Sequence, residues 1–334
     1  MRRGLLIFGV TLLIIGLIFS GVGGTLSAPM ENQKSNISPV LSASSNIVPF
    51  VQNSNISPGY VKYTLNLFNN NIMFGNHNTN GIGISPRGGA FDSLNGYIYI
   101  ANPGSNNVSV INASTNTIVK TISVGLYPTA VAFDAANGNL YVTNSQFDTV
   151  SVINGSTNTV IKTITVMLNP TAITFDSSNG YLYIANTAQG KVTVINGSSN
   201  IMIGNITVGY YPSSVTYDSS NGYLYVTNSG DIYVINGFNN TVIKTIPVSV
   251  DSSSAVYDSS NGYVYVTNSA SNDMCVINTS SNTMMKTIPV GYFPNAVTFD
   301  SANGFVYVEN CGNNKVSVIN GSTNTVIKNI SRGK

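Results

Sequence analysis

The stretch FDAANGNLYVTN, residues 133–144, decides the fold. Asp134 and Gly138 bracket a short polar turn, and Leu140 to Thr143 then alternate apolar and polar residues at the strand period. An aspartate can accept hydrogen bonds from the backbone of its own turn, and glycine tolerates positive φ, so Asp-x-x-Asn-Gly reads as a hairpin loop. The phrase returns as FDSLNGYIYI from Phe91, FDSSNGYLYI from Phe175, YDSSNGYLYV from Tyr217, YDSSNGYVYV from Tyr257 and FDSANGFVYV from Phe299. Its aspartates (Asp92, Asp134, Asp176, Asp218, Asp258, Asp300) are spaced 42, 42, 42, 40 and 42 residues apart, which is a repeat and not an accident of composition.

Outward from the hairpin, each unit reads as four short strands. In the second unit these are Thr129 to Phe133, Leu140 to Thr143, Val150 to Ile153 and Val160 to Val166. Between the third and fourth strands two asparagines recur four residues apart, as at Asn154 and Asn158. The one 40-residue unit loses its two residues between Asn228 and Ile235, in the loop joining second and third strands, where a meander tolerates deletion. Four-stranded repeats of this length predict an all-β fold, a β-propeller of antiparallel blades. Residues 86–334 hold six regular blades. Residues 46–85 have the length and alternation of one more but lack the Asp-x-x-Asn-Gly turn, so seven blades with a degenerate first one is the favoured count, and six with a strap competes.

Composition narrows the function. Only 8% of the 334 residues are charged, the formal net charge is +2, and Asn, Ser and Thr number 47, 41 and 30. With 43% hydrophobic residues the chain is not a disordered one. No cluster of Lys or Arg exists to neutralise phosphates, so nucleic acid is not an expected partner. The single histidine, His77, sits in an Asn-rich run and reads as a solvated loop residue, and a three-histidine metal site within one chain is excluded by count.

Arg2 and Arg3 precede an apolar run from Gly4 to Phe19 and then small residues, the pattern of an export signal. Residues 1–28 are therefore expected to be a signal peptide cut after Ala28, or an uncleaved apolar helix in which Gly4 to Leu26 spans a membrane. Residues 29–45 form an Asn/Ser-rich linker. The remainder is expected outside the cytoplasm, secreted or tethered at the cell surface, with the membrane touched only through the N-terminal segment.

The second strands read YVTN at Tyr141, Tyr225 and Tyr265, YIAN at Tyr99 and Tyr183, and YVEN at Tyr307. This resembles the YVTN-family β-propeller repeat of archaeal surface-layer and other cell-surface proteins, over about residues 86 to 334. The resemblance implies a seven-bladed ring displayed at the cell surface, and it says little about activity.

The candidate chemistry is sparse. The repeated aspartates read as hairpin caps, and the lysines sharing one position in the fourth strand (Lys120, Lys162, Lys244, Lys286, Lys328, with Gly204 in the sixth slot) read as guards of an outer edge. Asp148, Asp231, Asp273 and Glu309 are the acids expected near the loops where propeller enzymes gather their chemistry, which is thin material for a lyase, a lactonase or a glycoside-cleaving carboxylate pair. No catalytic group, metal or cofactor is assigned. Cys275 and Cys311 fall near one face in adjacent blades, where a disulfide or two buried thiols are both admissible. Tyr127, Tyr210, Tyr211, Tyr292 and Phe293 lie in the segments joining blades, where they either rim a face that stacks on sugars or partner side chains, or wedge between blades. Of eleven Asn-x-Ser/Thr sequons, Asn154, Asn196, Asn239, Asn278 and Asn320 fall on the tight third-to-fourth-strand turns, and several are expected to carry glycans. Few carboxylates and many hydroxyls suit a very acidic habitat. The expected role is structural or interaction at the cell envelope, with envelope proteins or glycans as partners. A carbohydrate- or protein-binding module is the second reading and an enzyme the third.

Overall fold

The computed structural model describes residues 82–331. The signal or anchor, the linker, most of the degenerate first blade and His77 lie outside the described residues.

Within them the chain forms twenty-four strands in six four-stranded antiparallel sheets, each in sequential order from first strand to fourth. The blades cover residues 89–123, 128–165, 170–207, 214–247, 252–289 and 294–331. In blade 2 the strands are Pro128–Asp134, Asn139–Asn144, Thr149–Asn154 and Thr159–Thr165, the first three a residue longer at each end than the sequence implies and the fourth starting one residue earlier at equal length. The only helical element among the described residues is a 3-10 turn at Pro103–Ser105. First strands of successive blades lie side by side, whereas fourth strands barely meet, so the first is innermost and the fourth outermost.

Burial follows this order. All six residues of Asn139–Asn144 are buried, because a middle strand is flanked edge to edge by its own blade and its two faces pack on the blades either side, Leu140 and Val142 toward blade 1 and Tyr141 toward blade 3. Tyr99, Tyr141, Tyr183, Tyr225 and Tyr265 are each 0% exposed, at one position of five successive second strands. The fourth strand is largely exposed, and its most buried residue in blades 1 to 5 is an inward isoleucine, such as Ile164 or Ile206. Each fourth strand also carries a β-bulge at its third residue: Val119, Ile161, Ile203, Ile243, Met285 and Ile327. A bulge bends an outer strand and spoils it as a template for another sheet.

Two faces result. Even-numbered strand counts return the chain to its starting side, so the segments joining blades and the second-to-third-strand loops share one face. The Asp-x-x-Asn-Gly turns and the third-to-fourth-strand turns share the other.

Candidate functional site

The joining segments repeat one backbone conformation. Ser85, Tyr127, Asn169, Tyr211, Asp251 and Phe293 have φ of 57°, 55°, 57°, 56°, 66° and 49°. Left-handed φ is uncommon away from glycine, and rarer still for an aromatic residue that precedes proline, as Tyr127, Tyr211 and Phe293 do. Hydrogen bonds from the adjoining loop hold it. The backbone N–H groups of Tyr127 and Phe293 donate to Oδ1 of Asn106 and Asn272, both at 2.9 Å, and that of Asn169 donates to Asp148 Oδ1 at 2.8 Å. In return the carbonyls of Tyr127, Asn169 and Phe293 accept the N–H groups of Ser145, Thr187 and Cys311. The clamp turns the residue before it, and often the left-handed residue too, out into solvent. Tyr210 is 83% exposed, and Tyr211, Tyr292 and Phe293 are exposed as well.

Four of the five predicted aromatic residues thus stand on this face. Tyr127 is different: it is half-buried, its hydroxyl accepts from Arg87 Nη2 at 3.1 Å, and the guanidinium carbon lies 5.2 Å from the ring centre. Burial pulls the Arg87 pKa below its ordinary value, with Tyr127 opposing the shift.

The six repeated aspartates are spent on turns. Asp92 Oδ1 accepts the N–H groups of Leu94 and Asn95 at 2.9 and 3.4 Å, and Asp134, Asp176, Asp218, Asp258 and Asp300 repeat the first of these bonds. Burial pushes the carboxyls of Asp92, Asp134 and Asp300 above the usual range, with backbone N–H groups opposing the shift. Asp273 Oδ1 accepts from Asn268 Nδ2 at 2.7 Å, and Glu309 is buried opposite Ala296 on blade 6. Among the described residues no three of His, Cys, Asp and Glu come together as a metal site. The lysines do more than guard an edge: Nζ of Lys120, Lys244 and Lys286 donates to carbonyls of Thr157, Ser281 and Asn324, each in the next blade.

The disulfide between Cys275 and Cys311 is not formed. Cys275 points into blade 5, where its Sγ accepts Asn268 Nδ2 at 3.1 Å. Ser109, Ser151, Thr193 and Ser317 occupy the same slot in other blades and accept the corresponding asparagine, so Cys275 substitutes for a hydroxyl. The sequon asparagines sit on the opposite face. Oδ1 of Asn154, Asn196, Asn278 and Asn320 accepts the hydroxyl of the serine two residues on, at 2.6–2.8 Å, and Asn239 does so from Thr241 at 2.7 Å.

Sequence reasoning did not find the contact between blades. The Tyr99 hydroxyl reaches Asn158, and Tyr141, Tyr183, Tyr225 and Tyr265 reach Asn200, Asn240, Asn282 and Asn324 in the same way. The signal was present: tyrosine and asparagine both recur in every unit, at fixed offsets.

No protein-family model matches the chain, and no curated protein matches it in sequence. Many solved chains match it in shape. One, the Kuenenia stuttgartiensis hydrazine synthase, is similar with a TM-score of 0.53 and 16% identity, over 74% of this chain and 98% of that one. At such identity the likeness speaks for the fold alone, the repeated four-stranded blades of a β-propeller.

Proposed function

We propose that the protein is an exported β-propeller of the YVTN-repeat kind, held at the cell surface, with a structural or interaction role in the envelope and no catalysis. The observation that carries this reading is the use made of ionisable side chains. Asp92 and its repeats cap hairpins, Asp148 caps a joining segment, and Lys120, Lys244 and Lys286 clip one blade to the next. Seven blades remain the favoured count. Ile98 of blade 1 is only half-buried, whereas Leu140, Leu182, Leu224, Val264 and Val306 at its position are 0% exposed, which supports a neighbouring unit outside the described residues.

The test is surface biotinylation of intact cells followed by capture of the full chain from solubilised envelope, with mass spectrometry of what comes with it. Envelope proteins or glycans are the expected partners. Recovery of the chain from the cytosol, or with a soluble metabolite, overturns the reading. A second reading places a sugar or protein on the exposed rings of Tyr210, Tyr211, Tyr292 and Phe293, favoured by their exposure, and replacing Tyr210 and Tyr211 by alanine should then abolish capture of that ligand.

A further inference from the structure

We propose that the joining-segment face is a bilayer-docking face, which lies on the membrane while the sequon-bearing face looks away from it. The inference rests on reading residues 4–26 as a retained anchor.

The two faces differ in kind. The second residue before the joining position 128, 170, 212, 252 or 294 is Leu126, Leu168, Tyr210, Val250 or Tyr292, every one apolar or aromatic and exposed. The left-handed clamp adds Tyr211 and Phe293 beside two of them. On the opposite face the exposed large apolar side chains in the turns are Leu94 and Phe238 among the described residues, and the rest of those turns are Asn, Ser, Thr, Gly and a few Ala, opened by the capping aspartates. Tyrosine and phenylalanine are suited to the headgroup boundary, with an apolar ring and, in tyrosine, a polar tip. Formal charge on the face is nearly balanced: Lys191, Lys315 and Arg87 stand against Asp148, Asp231, Asp251 and Asp273. Docking therefore depends on ring and side-chain burial and not on anionic lipid.

Topology brings this face to the membrane. The first described residues already lie on it: Gly104 N–H donates to the Ile84 carbonyl at 3.0 Å and Ile84 N–H to Ser105 Oγ at 3.0 Å, in the loop after the second strand of blade 1. Residues 29–45 separate the anchor from the expected first unit, and seventeen residues reach at most about 60 Å. A tether of bounded length keeps the ring near the bilayer, so weak interfacial contacts suffice.

The chain has no tryptophan, so a single introduced indole reports without background. Full-length Tyr210→Trp, Tyr292→Trp and the opposite-face control Phe238→Trp are each placed in phosphatidylcholine nanodiscs with brominated acyl chains. Residues 210 and 292 should emit blue-shifted light and be quenched about twofold or more, as for side chains lying at the headgroup boundary, while residue 238 is unaffected and added salt changes nothing. Circular dichroism matching the parent chain certifies the fold of each variant. If the chain stays in carbonate-washed membranes but 210 and 292 behave like 238, the docking face is wrong and those rings serve a protein or sugar. If the chain washes off in carbonate, the anchor reading fails and this proposal falls with it.

Discussion

The Tyr141 hydroxyl donates to Asn200 Oδ1 at 2.7 Å across 59 residues of sequence, and the same hydroxyl lies 2.9 Å from the Gly197 carbonyl. Asn200 has φ of 55°, so one left-handed asparagine both closes its own turn and receives the neighbouring blade. Tyr141→Phe keeps the ring and removes the donor, which leaves a buried acceptor unmet. The variant should lose about 1–2 kcal/mol in urea unfolding. A loss no greater than that of an exposed Tyr→Phe control would show that the bond contributes nothing.

Gly155→Ala should be worse than its size suggests. A Cβ there would lie 2.6 Å from both Asp92 Oδ2 and the Gly138 carbonyl, so backbone as well as side chain would have to shift. A loss of about 1–3 kcal/mol is expected. Gly204 has nothing within 4 Å, and lysine holds its position in the other five blades. Gly204→Lys should gain about 0.5 kcal/mol from relief of a flexible strand residue, read by the same denaturation midpoint.

Stability should lean toward acid. The carboxyls of Asp92, Asp134 and Asp300 take up protons more readily folded than unfolded, chiefly because burial disfavours their charge. Their contribution is complete below the ordinary value of 3.8 and is lost as pH rises through the raised folded value. The alkaline side runs through tyrosine. Burial lifts the Tyr99 pKa from 10.0 to about 12, so its contribution is intact below pH 10 and drains away as the unfolded chain ionises between 10 and 12. Urea midpoints should hold or rise between neutrality and about pH 3 and fall steeply above about pH 10. A midpoint that collapses in acid would contradict this.

In an N-glycosylating host, the sequons on turns should be occupied and those in strands bare. Asn154, Asn196, Asn239, Asn278 and Asn320 sit at tight turns with Oδ1 turned to the following hydroxyl. Asn107, Asn205 and Asn329 lie in strands, with Oδ1 accepting from Asn102, Thr193 and Ser317. Glycopeptide mass spectrometry separates the two groups, and modification at Asn205 or Asn329 would overturn the assignment.

Cys275→Ser should unfold within about 0.5 kcal/mol of the parent, since serine or threonine fills that slot in four other blades. Reductant should not move the melting temperature. A drop on adding it would reveal a bridge that the fold described here does not contain.

The blades were legible in the sequence because one 42-residue unit states its strands and turns six times over, and the unit missing two residues placed the gap between Asn228 and Ile235, where the structure has the short loop Asn228 to Gly230. The capping aspartates were legible for the same reason. What stayed hidden depends on how units meet. Nothing local to YVTN says that Tyr141 donates into the next blade, or that Ile161 is a bulge, because both follow from curvature and register between strands. At Cys275 the sequence left a bridge and a buried thiol both open, because spacing locates a residue near a face and does not fix its side-chain direction; the thiol faces Asn268.

The directed link from each tyrosine to the following unit has an evolutionary corollary. Every copy offers one donor forward and one acceptor backward, so duplicating a unit in frame creates no new kind of junction. Gene segments of this length can multiply by unequal recombination, with curvature alone limiting how many the wheel will seat.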